Sequence, residues 1–217
     1  MFEREHVLFV GNAIACLVVD EFHSDGKYKR LYGTAFFVDP CHLLTAGHNV
    51  NRTKNVDRRI YITYPGWPVV DISTSNLLEC TLVDTLRNSE KDSPNRDIAI
   101  LRVNGGHMAG TVLPLVTDSG LSPACFVDVY GYPGVIKSDF MQRHHGLLMD
   151  PEKSRKDMTL LLPPRTLTAS RGELKGIREQ DGIISFRAAT CQGMSGGPVI
   201  CNNRVYGIIL CCEVLTF

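Results

Sequence analysis

Short runs rich in β-branched and aromatic residues recur along the whole chain, separated by Gly, Pro, Asn and Asp, and stretches with a helical period are almost absent. That pattern confines the chain to an all-β fold. Strands are expected over 7–10, 15–19, 31–38, 42–45, 59–64, 78–83 and 98–103. After the glycine-rich break Asn104-Gly105-Gly106 a second group is expected over 125–130, 145–148, 158–162, 183–188, 198–201 and 205–211. Residues 147–180, where Pro163-Pro164 stands among charges such as Glu152, Lys153 and Arg171, read as strand interrupted by surface loops. Two groups of about six strands imply two six-stranded antiparallel β-barrels, an arrangement that removes sheet edges and leaves a cleft between the barrels. The expected units are 1–110 and 111–217, with the functional groups in that cleft.

Composition narrows the partners. Lys plus Arg (23) balances Asp plus Glu (23), so no net field holds the molecule on nucleic acid or on an anionic membrane. Apolar residues make up 44% and charged residues 21%, as in globular chains. No run approaches the roughly 20 apolar residues of a membrane helix. The charged start Met1-Phe2-Glu3-Arg4-Glu5-His6 precedes too short an apolar run for a signal peptide, so a cytoplasmic site is expected, or a secreted one if a leader has been removed. The 8 cysteines show no regular spacing and are expected as free thiols. Cys41, His42 and His48 lack the spacing of a structural zinc site, so no metal or other cofactor is expected. Oligomeric state leaves no mark.

Three short motifs carry chemistry. In Thr190-Cys191-Gln192-Gly193-Met194-Ser195-Gly196-Gly197-Pro198, glycines bracket a serine. Glycine lets a backbone turn sharply and brings amides close to a ligand, which suits an exposed nucleophile beside the two N–H groups of Gly193 and Ser195. Taken alone the motif also fits a glycine-rich hairpin. In Leu43-Leu44-Thr45-Ala46-Gly47-His48, a small-residue corner presents a histidine at the end of an apolar strand. Imidazole accepts and returns protons near neutrality. In Arg96-Asp97-Ile98-Ala99-Ile100, a carboxylate stands just before an apolar strand, a place where it can also simply bond the local backbone.

Their joint order, His48 and Asp97 in the first β-group and Ser195 in the second, resembles the chymotrypsin-like serine proteases over roughly residues 33–212. The Gly-x-Ser-Gly-Gly-Pro element is specific to that family, and Tyr130-Gly131-Tyr132-Pro133-Gly134 is similar to the second-barrel strand of its glutamyl endopeptidase and HtrA-type branch. The resemblance implies a serine-type endopeptidase acting on protein or peptide substrates, with Ser195 as nucleophile, His48 as base and acid, and Asp97 orienting it. The rival is a protease-fold module that holds a peptide without cleaving it. A small-molecule hydrolase with Gly-x-Ser-x-Gly would place its histidine last in the chain, and here it comes first.

The chain also departs from the family. Met194 stands where trypsin-like enzymes carry the aspartate that meets a new amino terminus, so that activation switch is not expected. Asn49 replaces the cysteine that usually follows the histidine, which leaves Cys41 without its customary partner. By resemblance the pocket is walled by Ala189, Thr190, Ile209, Leu210, Cys211 and Cys212. Ala189 offers no charge to Lys or Arg substrates. Thr190 matches the threonine with which glutamyl endopeptidases hold a carboxylate, but Ile209 takes the place of their histidine, and His144-His145 read as exposed. An uncharged P1 residue is expected. Leu210-Cys211-Cys212 is expected to pair with an extended substrate. Relatives usually continue beyond the position of Phe217 into a further strand and helix, so a shortened protein, a piece of a longer one or a barrel that closes differently is expected.

Overall fold

The computed structural model describes residues 9–51, 56–64, 76–86, 97–106, 109–116, 125–134, 164–178 and 183–210. Six strands, β1 (Ile14–His23), β2 (Tyr28–Phe37), β3 (His42–Ala46), β4 (Val56–Thr63), β5 (Leu77–Leu86) and β6 (Ile98–Val103), close into an antiparallel barrel in the order β1-β2-β3-β6-β5-β4. Five more, β7 (Phe126–Gly131), β8 (Thr168–Arg178), β9 (Ile183–Arg187), β10 (Pro198–Cys201) and β11 (Arg204–Ile208), form an antiparallel sheet in the order β11-β10-β7-β8-β9. This is the all-β double-barrel architecture, with one barrel closed and the other represented by a half-barrel among the described residues. The strands expected over 145–148 and 158–162 lie outside the described residues.

The period of two in β1 explains why its apolar run is unbroken. Ala15, Leu17 and Val19 point into the closed barrel with Phe37, Leu43, Ile62 and Leu101. Ile14, Cys16 and Val18 point outward, and they too are buried, against Tyr130, Tyr132, Ile200 and Val205 of the second unit. A strand with two dry faces needs apolar residues at both parities. Burial in the second layer pushes the Cys16 thiol up to about 12. Residues 109–116 lace the two units together: Leu113 N–H donates to Phe37 in the barrel, and Val205 N–H donates to Pro114. Cys16, Cys41, Cys80, Cys125 and Cys201 are free thiols.

Strand bounds depart from the sequence expectation in several places, and two of them are instructive. Residues 9–11 are helical rather than extended, because an isolated apolar run of this length has no period to decide between the two. β1 continues through Asp20 and Glu21, beyond the strand end expected at Val19. Both carboxylates are buried, and cross-strand register supplies each with a cation: Asp20 opposes Arg30 and Glu21 opposes Arg58. Arg30 binds Asp20 through Nε and Nη2 at 2.6 and 2.7 Å, and the Tyr28 hydroxyl donates to the same carboxylate at 2.8 Å.

The Arg30 hydrogen bonds hold the Asp20 carboxyl below its ordinary 3.8. A depressed carboxyl contributes stability that is complete above the unfolded-state value and is lost as pH falls through the folded-state value. Asp20→Asn is therefore expected to cost about 2 kcal/mol at pH 7, the scale of hydrogen bonds to a charged group. The difference from wild type should shrink as the pH drops below 3.8. Urea unfolding of both proteins at several pH values checks this, and a pH-independent difference would remove the ion pair as its cause.

Candidate active site

Register brings His48 and Asp97 together. β3 and β6 are antiparallel with Ala46 opposite Ile98, so the residues just past the end of β3 and just before β6 share one rim of the barrel. The chain leaves β3 through a single 3-10 turn, Gly47–Asn49, and Gly47 N–H donates to the Asp97 carbonyl at 2.8 Å. A Cβ on Gly47 would lie 2.8 Å from Asp97 Oδ1, so a side chain there would displace the carboxylate. Asp97 Oδ1 accepts the backbone N–H of His48 at 2.6 Å, and Oδ2 meets His48 Nδ1 at 2.5 Å. An ionised carboxylate offers only acceptors, so Nδ1 carries the proton and Nε2 presents a lone pair. The imidazole is 44% exposed and the carboxylate 26%, so the ring is the more open to solvent of the two.

Ser195 arrives on two consecutive turns. Met194 N–H donates to Cys191 C=O at 3.1 Å and Gly197 N–H donates to Met194 C=O at 2.9 Å. The third residues of these turns, Gly193 and Gly196, have φ of +96° and +88°. That region favours glycine, and it makes Ser195 the corner residue of the second turn. Between the turns Met194 is fully buried in an apolar cluster with Val129, Cys191, Val199 and Ile209, which anchors the loop by packing. Among the described residues the amides of Met194, Gly196 and Gly197 have backbone acceptors, whereas those of Gly193 and Ser195 donate to none.

The loop is fastened to the barrel beside His48. Thr34 N–H donates to the Ser195 carbonyl at 2.9 Å, and Thr34 Oγ1 donates to the Gly193 carbonyl at 2.9 Å. Asn49 Nδ2, one residue after the histidine, reaches the same Ser195 carbonyl at 2.9 Å. No hydrogen bond joins Ser195 Oγ to His48 Nε2 among the described residues. In substrate-free sites this contact is often long and tightens with substrate in place.

The pocket residues divide. Ala189 is exposed, and its N–H donates to Ser170 Oγ at 2.8 Å. Thr190 is buried. Ile209, expected on a wall, is 2% exposed; its side chain packs behind the loop with Cys191 and Met194, and its backbone pairs with Gly196 and Gly197. β11 ends at Ile208, so Leu210 lies past the strand, and Cys211 and Cys212 fall outside the described residues, as do His144 and His145.

Cys41 is not the residue that faces Asn49. That place belongs to Gly33, whose Cβ would meet Asn49 Nδ2 at 2.8 Å. Cys41 lies at the opposite end of β3 in a turn with Asp39 and His42, not with His48. Their ligand atoms lie within 4.8 Å of one another, the composition a cation would require. In the turn they satisfy each other: Asp39 Oδ1 accepts the N–H groups of Cys41 and His42 at 2.8 Å, and Oδ2 meets His42 Nδ1 at 2.8 Å.

A family model of trypsin-like peptidase domains matches residues 33–208. The chain belongs to the trypsin-like peptidases. Among solved structures it is similar to the Rv3671c protease of M. tuberculosis. The inactive form matches with a TM-score of 0.53 and 20% identity, over 94% of this chain and 80% of that one. The active form matches with a TM-score of 0.56 and 19% identity, over 94% and 72%. At such identities the likeness is one of fold. The family match does not single out the glutamyl endopeptidase and HtrA-type branch. As a trypsin-like peptidase the chain has peptides or proteins as its class of substrate.

Proposed function

We propose that this trypsin-like peptidase is a serine endopeptidase whose catalytic triad is Ser195, His48 and Asp97. The observation that carries the reading is the shared rim: a His48 ring tied through Nδ1 to Asp97 at 2.5 Å, with the Ser195 backbone bonded to the residue next to that histidine. In the proposed reaction Ser195 Oγ attacks the scissile carbonyl carbon while His48 Nε2 takes the hydroxyl proton. Asp97 stabilises the imidazolium that forms, without itself becoming protonated. The carbonyl oxygen, now an oxyanion, is received by the N–H groups of Gly193 and Ser195. Collapse breaks the C–N bond, the imidazolium proton goes to the leaving amine, and an acyl ester remains on Ser195. Water then attacks the ester by the same base, releasing the acid and restoring the hydroxyl.

Neither Ala189 nor Thr190 carries a charge, which supports an uncharged P1 residue. The reading predicts that a fluorophosphonate forms one stoichiometric adduct on Ser195 of the wild-type protein and none on Ser195→Ala. Intact-protein and peptide mass spectrometry read both. A folded wild type that stays unlabelled would instead support a module that holds peptides without cleaving them. Cleavage of a mixed peptide library then reads the P1 preference.

A further inference from the structure

Asn49 takes no part in the proton transfers just described, yet its side chain joins the two halves of the site. Its Nδ2 lies 2.9 Å from the Ser195 carbonyl oxygen and 3.1 Å from Thr45 Oγ1. The amide can face them only one way. A carbonyl oxygen accepts and never donates, and the Thr45 hydroxyl has committed its hydrogen to the Thr34 carbonyl at 2.7 Å. Both partners are therefore acceptors, and only an NH2 group satisfies them. Thr34 and Thr45 are fully buried, so water does not substitute freely for either bond. Glycine at position 33 makes the room: a Cβ there would lie 2.8 Å from Nδ2 and 3.0 Å from Cγ of Asn49.

From this geometry we propose that Asn49 is a positioning residue that sets the distance between nucleophile and base. The inference rests on the serine-endopeptidase reading. His48 and Asn49 belong to one 3-10 turn, so the imidazole and the clamping amide move together. The clamp grips the carbonyl of the nucleophilic residue itself, directly beside the amide assigned to the oxyanion. Thr34 N–H grips the same carbonyl from β2, so the Ser195 peptide is held from two directions by the barrel that carries the histidine. Without Asn49 one of these two bonds remains. The loop stays docked through Thr34, but its angle to the imidazole is no longer fixed from the histidine side. A displacement of about 1 Å between reacting groups lowers the rate by up to about 100-fold.

The test uses the full chain and three proteins: wild type, Asn49→Ala and Asn49→Asp. Fluorophosphonate labelling gives a second-order rate constant and a final adduct stoichiometry, and a cleaved peptide gives kcat and KM. For Asn49→Ala the labelling constant and kcat should fall together by about 10- to 100-fold. KM and the final stoichiometry should stay close to wild type. Asn49→Asp keeps the shape but points oxygen at two acceptors, so it should fall below Asn49→Ala. A merely structural role predicts reduced stoichiometry with an unchanged rate constant in the molecules that label, and that result overturns the proposal. So does an Asn49→Asp protein that labels as fast as wild type, a measurement that stands if the alanine variant does not fold. A wild type that reacts at Ser195 while both variants match it overturns only the clamp. A wild type that does not react at all overturns the endopeptidase reading, and the clamp with it.

Discussion

Asp97→Asn is expected to lower kcat on the order of 10^4-fold while leaving KM and the melting temperature nearly unchanged. The size follows from which atom of the new amide faces the ring. Asp97 makes two bonds to His48, accepting the backbone N–H on Oδ1 and meeting Nδ1 with Oδ2. An amide has one oxygen. The backbone N–H can be satisfied only by that oxygen, so the NH2 group is forced toward Nδ1, which must then act as acceptor. The ring proton moves to Nε2, the nitrogen that takes the Ser195 proton in the proposed reaction. The base is thus blocked by its own tautomer, and the charge that stabilised the imidazolium is also gone. Together these raise the barrel-rim reaction barrier by about 5 kcal/mol. Asp97→Ala is a poorer probe, because it also strips the acceptor from the His48 backbone and frees the turn. Steady-state kinetics with thermal unfolding on the same sample check the prediction. A loss of less than about 100-fold would mean that the carboxylate does not fix the tautomer.

What the sequence discloses of this molecule follows the range of the interactions. β6 and β10 have the bounds expected from their residues, and β3 runs one residue further, because short apolar strands flanked by turn residues are decided locally. The glycines around Ser195 are legible for the same reason: each turn closes within four residues. β8 is not legible as one strand. Its alternation is broken by Gly172 and Gly176 and loaded with charge, and it holds because register places Arg171 against Asp128 of β7 at 2.7 and 2.9 Å. The inner end of β1 is hidden likewise, since Asp20 and Glu21 become strand residues only when Arg30 and Arg58 arrive from neighbouring strands. The Asn49 clamp is the extreme case. Its partner stands 146 positions away, and nothing near Asn49 announces it except two threonines, Thr34 and Thr45, set among apolar strand residues. Small hydroxyl residues in an otherwise apolar strand are a signal that something polar docks there. The sequence does not say what.

Gly196→Ala should be among the most damaging single-methyl changes in the chain, and a second glycine shows why geometry rather than glycine itself decides. Gly26 and Gly196 have nearly the same φ, +81° and +88°. Alanine in that region costs about 1–2 kcal/mol wherever it occurs. Around Gly26 there is nothing for a Cβ to meet, so Gly26→Ala should pay only that cost, a fall of roughly 2–8 °C in melting temperature for a chain of this size. At Gly196 the Cβ would lie 2.2 Å from the Thr34 carbonyl oxygen, 2.3 Å from Thr45 Oγ1 and 2.8 Å from Ala46 N. None of these can swing aside. Two are backbone atoms of paired barrel strands, and the third is a buried hydroxyl already bonded to the first. The turn must therefore lift off the barrel, breaking the Thr34–Ser195 bond that seats Ser195. The expected loss is about 4 kcal/mol or more, the range reached only by overpacking and broken buried networks. Fluorophosphonate labelling of Gly196→Ala should fall further than its folded fraction, because the lifted turn carries Ser195 away from His48 even in molecules that stay folded. Thermal unfolding of the two variants, with labelling normalised to folded protein, measures both effects. Equal melting temperatures for Gly26→Ala and Gly196→Ala would show that the second turn is not seated on the barrel.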